Sequence, residues 1–442
     1  MKQFSLTVSE SNRPFALNGF NFPDFISPSI HKGETAQTHY LFQSSKRSVI
    51  SLRVDLKGEG KNCEPDLVKE KCKWSVDKDK FPYGQTESQW WEYCLAPHSY
   101  LPLENSLIQV GLNLFNRFLH IDFSSQCAKL IDPEIGNEML STTNWFDKTT
   151  GELWFASWPV EGTARRILKP RENIRVTIWK SSLQKKSIDQ VWQGDFSDSL
   201  HQLLLSSDRK FLVLTELGLY SEENVSAESE NQKRSVEKHK RRRELISSRI
   251  LILNLKTGEE WRLPITTAGH VEFDPDHQDV CYVSCHNIGL IGVKVGVFGA
   301  GVVKKLRLGK NGPEAAGEFT HPDFHRITTH IVFRHRGKTL IGVSGYPDKV
   351  FLIDAASMKL FKIIELEKGE KVDVLNSPHL CQQDSYGIAA SEDGEFVLAA
   401  GTGFISVASI EEGRFSIKKE IEGYDSRSCF TGHLGSFNAL KA

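Results

Sequence analysis

Residues 270–284 read His-Val-Glu-Phe-Asp-Pro-Asp-His-Gln-Asp-Val-Cys-Tyr-Val-Ser. Four residues of strand-like alternation meet a Pro-Asp turn. An apolar β-branched and aromatic run then begins ten positions after His270. Strand, tight turn, strand is the pattern of an antiparallel hairpin. The same offsets recur along the chain. Val49 to Arg53 follow His39, Ile108 to Leu112 follow His98, and Leu153 to Ser157 follow Thr143. Phe211 to Thr215 follow His201, Leu340 to Ser344 follow His330, and Phe396 to Ala400 follow Tyr386. The third position after each start is apolar: Phe42, Leu101, Phe146, Leu204, Phe273, Phe333 and Ala389.

Seven units with starts 45 to 69 residues apart, and no long amphipathic helix, predict an all-β protein. Radial repetition of short antiparallel strands is how a sheet protein of this length manages its edges, so the expected architecture is a seven-bladed β-propeller. It is expected to occupy residues 1–442 as a single domain. The first 35 or so residues are expected to supply a closing strand. The segment 220–245, acidic at first and then basic (Lys238 to Arg243 read KHKRRR), is nearly free of large apolar residues. It is expected to be a disordered insertion between two strands of one blade.

The chain carries 55 Lys and Arg against 56 Asp and Glu, a formal net charge of −1. That balance argues against nucleic acid as a partner and against attraction to anionic membranes. No apolar run approaches the roughly 18 residues of a spanning helix, and the first residues lack an apolar signal-peptide core. The expectation is a cytoplasmic protein without membrane contact. The eight cysteines form no CxxC pair, which disfavours a thiolate zinc site and suits free thiols. Cys281 and Cys285 fall on one face of their run. Trp90, Trp91, Trp154 and Trp158 are expected to pack between blades. His277 and His335 fall in turns and are expected to face solvent.

Five of the seven equivalent starts are histidine: His39, His98, His201, His270 and His330. With 15 histidines in 442 residues, chance would put about a quarter of one there. In a propeller these positions lie at one height around the axis. A ring of neutral imidazoles is a metal cage with open positions, taking Fe(II) as the first choice and Cu, Mn or Zn as alternatives. Glu272 shares a strand face with His270 and suits a role as acceptor for an imidazole N–H. Asp384 and Tyr386, at the entry of the seventh unit, are the candidate catalytic acid and base. No GxGxxG before a helix, Walker loop, GxSxG or HExxH occurs.

The turns resemble those of WD-repeat and YVTN/lactonase-like propellers, and His270 to Asp276 resembles the inner-strand motif of the latter. No Trp-Asp dipeptide closes any unit. The histidine ring is similar in position to the four-histidine iron site of carotenoid oxygenases. It is similar also to the metal site of oligogalacturonate lyases. These resemblances imply a metal-dependent oxygenase, oxidoreductase or lyase acting on a small-molecule substrate. Two alternatives stand beside that one. The first is a non-catalytic protein-interaction propeller whose histidines are structural. The second is a metal-free lactonase-like hydrolase. Oligomeric state has no signature in the sequence.

Overall fold

The computed structural model describes residues 20–24, 37–45, 48–57, 64–76, 97–104, 107–112, 116–122, 127–136, 138–141, 143–147, 149–159, 174–182, 187–196, 200–216, 249–265, 268–285, 288–291, 294–297, 301–324, 327–345, 349–365, 387–390, 394–401, 404–420 and 435–438. Among the described residues every regular element is a β-strand.

The first described strands are β1 (Phe20–Asp24), β2 (Gln37–Ser45), β3 (Ser48–Lys57) and β4 (Glu64–Val76), ordered β1-β4-β3-β2. Next come β5 (Pro97–Glu104), β6 (Leu107–Leu112), β7 (Phe118–Asp122) and β8 (Cys127–Ile131), a meander. The short β9 (Glu138–Leu140) precedes β10 (Trp145–Asp147), β11 (Glu152–Pro159), β12 (Ile174–Ser182) and β13 (Ser187–Phe196). They pair in that order, with β9 also on β11. A further meander is β14 (Leu200–Leu205), β15 (Phe211–Glu216), β16 (Arg249–Asn254) and β17 (Glu260–Pro264). After β18 (Ala268–Phe273) and β19 (Val280–Cys285), a hairpin of β20 (Ile288–Ile291) and β21 (Lys294–Val297) intervenes. The sheet then resumes with β22 (Val302–Gly309) and β23 (Gly312–Phe319). Two four-strand halves follow. One is β24 (Ile327–His335), β25 (Lys338–Gly345), β26 (Lys349–Asp354) and β27 (Lys359–Glu365). The other is β28 (Gly387–Ala390), β29 (Phe396–Gly401), β30 (Phe404–Ser409) and β31 (Arg414–Glu420). A single parallel pair, Glu365 with Arg414, joins them into eight strands. Last comes β32 (Gly435–Asn438), which lies against β2.

The ten-residue offset is the hairpin pitch. All seven runs read from it fall within β3, β6, β11, β15, β19, β25 and β29. Of these, β11, β15 and β19 lack clean polar alternation because both faces are covered. In β19 all six residues are buried. Cys281, Val283 and Cys285 pack toward the β14 sheet, with Phe211, Val213 and Ile252. Val280 and Tyr282 pack the other way, with Ile341, Val343 and Phe351 of the β24 half. A third such cluster joins the β24 half to the β28 half, and a fourth joins the β5 and β10 sheets. These neighbouring sheets therefore stack face to face, with β19 dividing its side chains between two of them.

The leading strands touch in chain order: β2 with β5, β5 with β10, β10 with β14, β14 with β18, β18 with β24, and β24 with β28. β28 touches β32, which pairs with β2, so the sequence of contacts returns to its first strand. Thr143 bridges Gln202 in parallel, which orients two of these leading strands the same way. This arrangement is consistent with a propeller-like all-β fold. Closure comes from an unexpected end of the chain. β28 to β31 complete their own meander, and β1 pairs with β4 of its own sheet rather than with the last one. The strand that joins the ends is β32.

One turn recurs at the outer side. The carbonyls of Asn254, Asp354 and Ser409 accept the amides of Gly258, Met358 and Gly413 at 2.8, 2.8 and 3.0 Å. That fifth residue is left-handed each time, with φ of 76°, 53° and 71°. Glycine reaches this conformation without strain, which suits Gly258 and Gly413 to the position.

Candidate functional site

The leading strands β18 and β24 carry His270 and His330 at matching places near their starts. Both side chains are buried, at 6% and 2% exposure. Each strand has an irregularity just before its regular pairing, between Ala268 and Val271 in β18 and between Ile327 and His330 in β24. The His270 amide donates to Ser284 Oγ at 3.3 Å, and that hydroxyl donates back to the His270 carbonyl at 3.4 Å.

Beyond the irregularities, alternation fixes which way side chains point. Val271 and Phe273 pack toward the β14 sheet. Glu272 therefore faces the other way, and its cross-strand partner Tyr282 belongs to the cluster shared with the β24 half. In β24, Ile331 and Phe333 pack toward the β28 half, whereas Val332 packs toward the β18 sheet. His330, two residues before Val332, faces the β18 sheet as well. Glu272 and His330 thus project into the same wedge between two neighbouring sheets.

Burial favours the neutral form of both groups. The His330 ring meets the Tyr282 backbone, and among the described residues no other group hydrogen-bonds its nitrogens. Burial pushes its imidazole down to about 4, and the nearby backbone of Tyr282 offsets this only in part. The ring is accordingly neutral at pH 7, the state in which a nitrogen lone pair can bind a ligand. Glu272 keeps some accessible surface, yet burial pushes its carboxyl up to about 7 with no charge or hydrogen bond opposing the shift.

The far end of the leading strands is closed by polar links between neighbouring sheets. Arg209 Nε meets Asp147 Oδ2 at 2.5 Å, and Ser207 N donates to Gln278 Oε1 at 3.0 Å. Arg334 and Thr339 both donate to Asp276. Arg336 pairs with Glu395 at 2.8 Å. The histidine-bearing end is the opposite one.

Of the other candidate residues, His39, His98 and His201 fall within β2, β5 and β14, but their side chains lie outside the described residues. Tyr386, Asp384, Trp90, Trp91 and the segment 220–245 also lie outside them. The strands on either side of that segment, β15 and β16, pair directly, Phe211 with Asn254 through Thr215 with Ile250. Trp154 and Trp158 are buried in β11. Cys281 and Cys285 are free, buried thiols, which burial pushes up to about 12. His277 is exposed as expected, its Nδ1 3.3 Å from Asp274 Oδ1. His335 is not: it is buried, with Nδ1 donating to the Gly394 carbonyl at 2.7 Å. A turn residue is solvent-facing only where no neighbouring sheet covers it, and here the β28 half does. Sequence reasoning also passed over Gln202, whose carboxamide links β14 to β18.

Among the described residues, no three His, Cys, Asp or Glu side chains come together as a metal-binding group. No helix of the described residues is long and apolar enough to cross a membrane. No protein-family model matches this chain, and no curated protein matches it.

Proposed function

We propose that the chain is one seven-bladed β-propeller whose histidine-bearing end holds a divalent metal ion, Fe(II) first and Cu, Mn or Zn next. It would act as a metal-dependent oxidoreductase or lyase on a small molecule. The fold part rests on the four-strand meanders and on leading-strand contacts that return to β2. The observation that carries the site is His330. A side chain 2% exposed that meets only the Tyr282 backbone keeps one ring nitrogen for a ligand. A neutral imidazole fits a borderline divalent cation. Such an ion, when bound, would supply Lewis acidity or dioxygen activation. The chain's own contribution is to hold imidazoles from several leading strands at one end of the ring and to exclude bulk water around them.

A second reading is favoured by one observation. His330 lies against the backbone of Tyr282 in the neighbouring sheet, which suits a pin between blades in a non-catalytic interaction scaffold. Elemental analysis of protein purified without a His tag, before and after anaerobic Fe(II) loading, separates the two. The metal reading expects about one ion per chain, lost in His270→Ala and His330→Gln. Wild-type protein that takes up no ion under any loading condition leaves the scaffold in front.

A further inference from the structure

We infer that β32 is an exchangeable strand and that the edge of β2 takes it from a second copy of this chain, giving a reciprocal strand-exchanged dimer. The inference goes beyond the metal reading and does not depend on it.

In the other meanders the leading strand passes through a short turn into the second strand of its own sheet, as β14 does into β15, β18 into β19 and β24 into β25. The first sheet is built differently. Its order is β1-β4-β3-β2-β32, so the strand at the end opposite β1 is β32. β32 touches β28 and β5, the leading strands of the last sheet and of the second. It thus holds the place that leading strands hold elsewhere, yet no turn ties it to β2. Residues 421–434 join it instead to β31, whose own meander is complete as β28 to β31. At this one junction a leading position is held by backbone pairing and packing alone.

The junction is also short. β2 pairs with β3 from Gln37 to Ser45, but with β32 only from His39 to Phe42. Few ladder pairs and no covalent turn put the opening of β32 at the low end of local unfolding free energies. Once open, the edge of β2 presents unpaired amides and carbonyls, a template for another strand. The strand that fits is β32 of a second copy, because it restores the same pairs and needs no new surface. A tether presents β32 to its own β2 at an effective concentration on the order of mM, so closure within one chain wins in dilute solution and exchange wins above that range.

The test uses full-length protein in two preparations, one grown on heavy isotopes. Mixed at about 1 mM they should form a dimer, resolved by size exclusion with light scattering, whereas protein at about 1 μM should stay monomeric. Leu41→Cys/Ser436→Cys places thiols at directly opposite positions of β2 and β32. After oxidation, peptides cross-linked between residues 41 and 436 should join a heavy and a light chain in about half of the dimer's links and in none of the monomer's. Links confined to one isotope, or monomer at every concentration, would overturn the inference. Ser436→Pro removes an amide from β32 and should abolish the dimer while keeping the β-sheet circular dichroism, because the meanders do not need β32. A dimer that persists in this variant uses another surface and overturns the inference. Loss of the β spectrum would mean that the fold cannot release β32, and that overturns it as well. If the thiol variant does not fold, the concentration series and Ser436→Pro decide. No metal enters these measurements, so their failure leaves the metal reading untouched.

Discussion

Gln202 on β14 grips the backbone of Val271 on β18 at both ends: its Nε2 donates to the Val271 carbonyl at 3.0 Å, and its Oε1 accepts the Val271 amide at 2.5 Å. A side chain here does what a ladder pair does inside a sheet, between strands of two different sheets. Thr215 extends the link, its hydroxyl donating to the Gly269 carbonyl at 2.8 Å. The grip ends on the residue next to His270 and so fixes the approach of the histidine-bearing strand.

Removing that grip should be expensive. Gln202→Leu leaves a buried amide and a buried carbonyl of Val271 without partners, at about 1–3 kcal/mol for each group. Urea unfolding should report a loss of about 2–4 kcal/mol relative to wild type. A loss below about 0.5 kcal/mol, the level of an indifferent surface change, would show that water or a shifted backbone replaces the carboxamide.

His330 and Glu272 should impose opposite pH dependences on metal-free protein. With its pKa lowered from 6.5 to about 4, His330 binds fewer protons folded than unfolded, so its contribution makes stability rise with pH across that window. With its pKa raised from 4.5 to about 7, Glu272 binds more protons folded, so its contribution makes stability fall over nearly the same range. The two largely cancel in wild type. Relative to wild type, His330→Gln should lose stability as pH rises from about 4 to 6.5, and Glu272→Gln should gain it from about 4.5 to 7. Denaturation midpoints measured against pH give the difference curves, and flat differences would refute the placement of both groups.

Two glycines at left-handed turn positions should respond differently to alanine. Gly258, at φ 76°, has open space where a Cβ would go, so Gly258→Ala should cost only the conformational term, about 1 kcal/mol. Gly394, at φ 68°, would place a Cβ 1.8 Å from the Arg334 carbonyl oxygen, which is backbone and cannot swing away. Gly394→Ala should cost several times as much and loosen the contact that buries His335. Equal melting temperatures for the two variants would contradict the inter-sheet packing at this turn.

Cys281 and Cys285 should resist alkylation in the native state. Their thiols are buried, and burial holds them protonated. Peptide mass spectrometry after iodoacetamide labelling should find both unmodified until denaturant reaches the unfolding transition. Modification in native buffer at the rate of an exposed thiol would mean that β19 opens readily.

The sequence by itself determined the hairpins. An apolar run ten residues after each start, a turn residue between and an apolar residue at the third position are local facts, set by the two-residue period of a strand and the conformational needs of its turn. From those alone β3, β6, β11, β15, β19, β25 and β29 were legible. The recurrence of histidine at the starts was legible too. Where those side chains point was not. The irregularities before Val271 and at His330 reset alternation by an amount no pattern encodes, and the neighbouring sheets decide which face is a core and which a wedge. The same limit hid the burial of His335, the grip of Gln202 and the closing role of β32. Each depends on a group 59 residues or more away in the chain, brought near only when the sheets stack. Tertiary structure alone put Glu272 and His330 in one wedge, because desolvation and the loss of partners are properties of the surroundings and not of the residues.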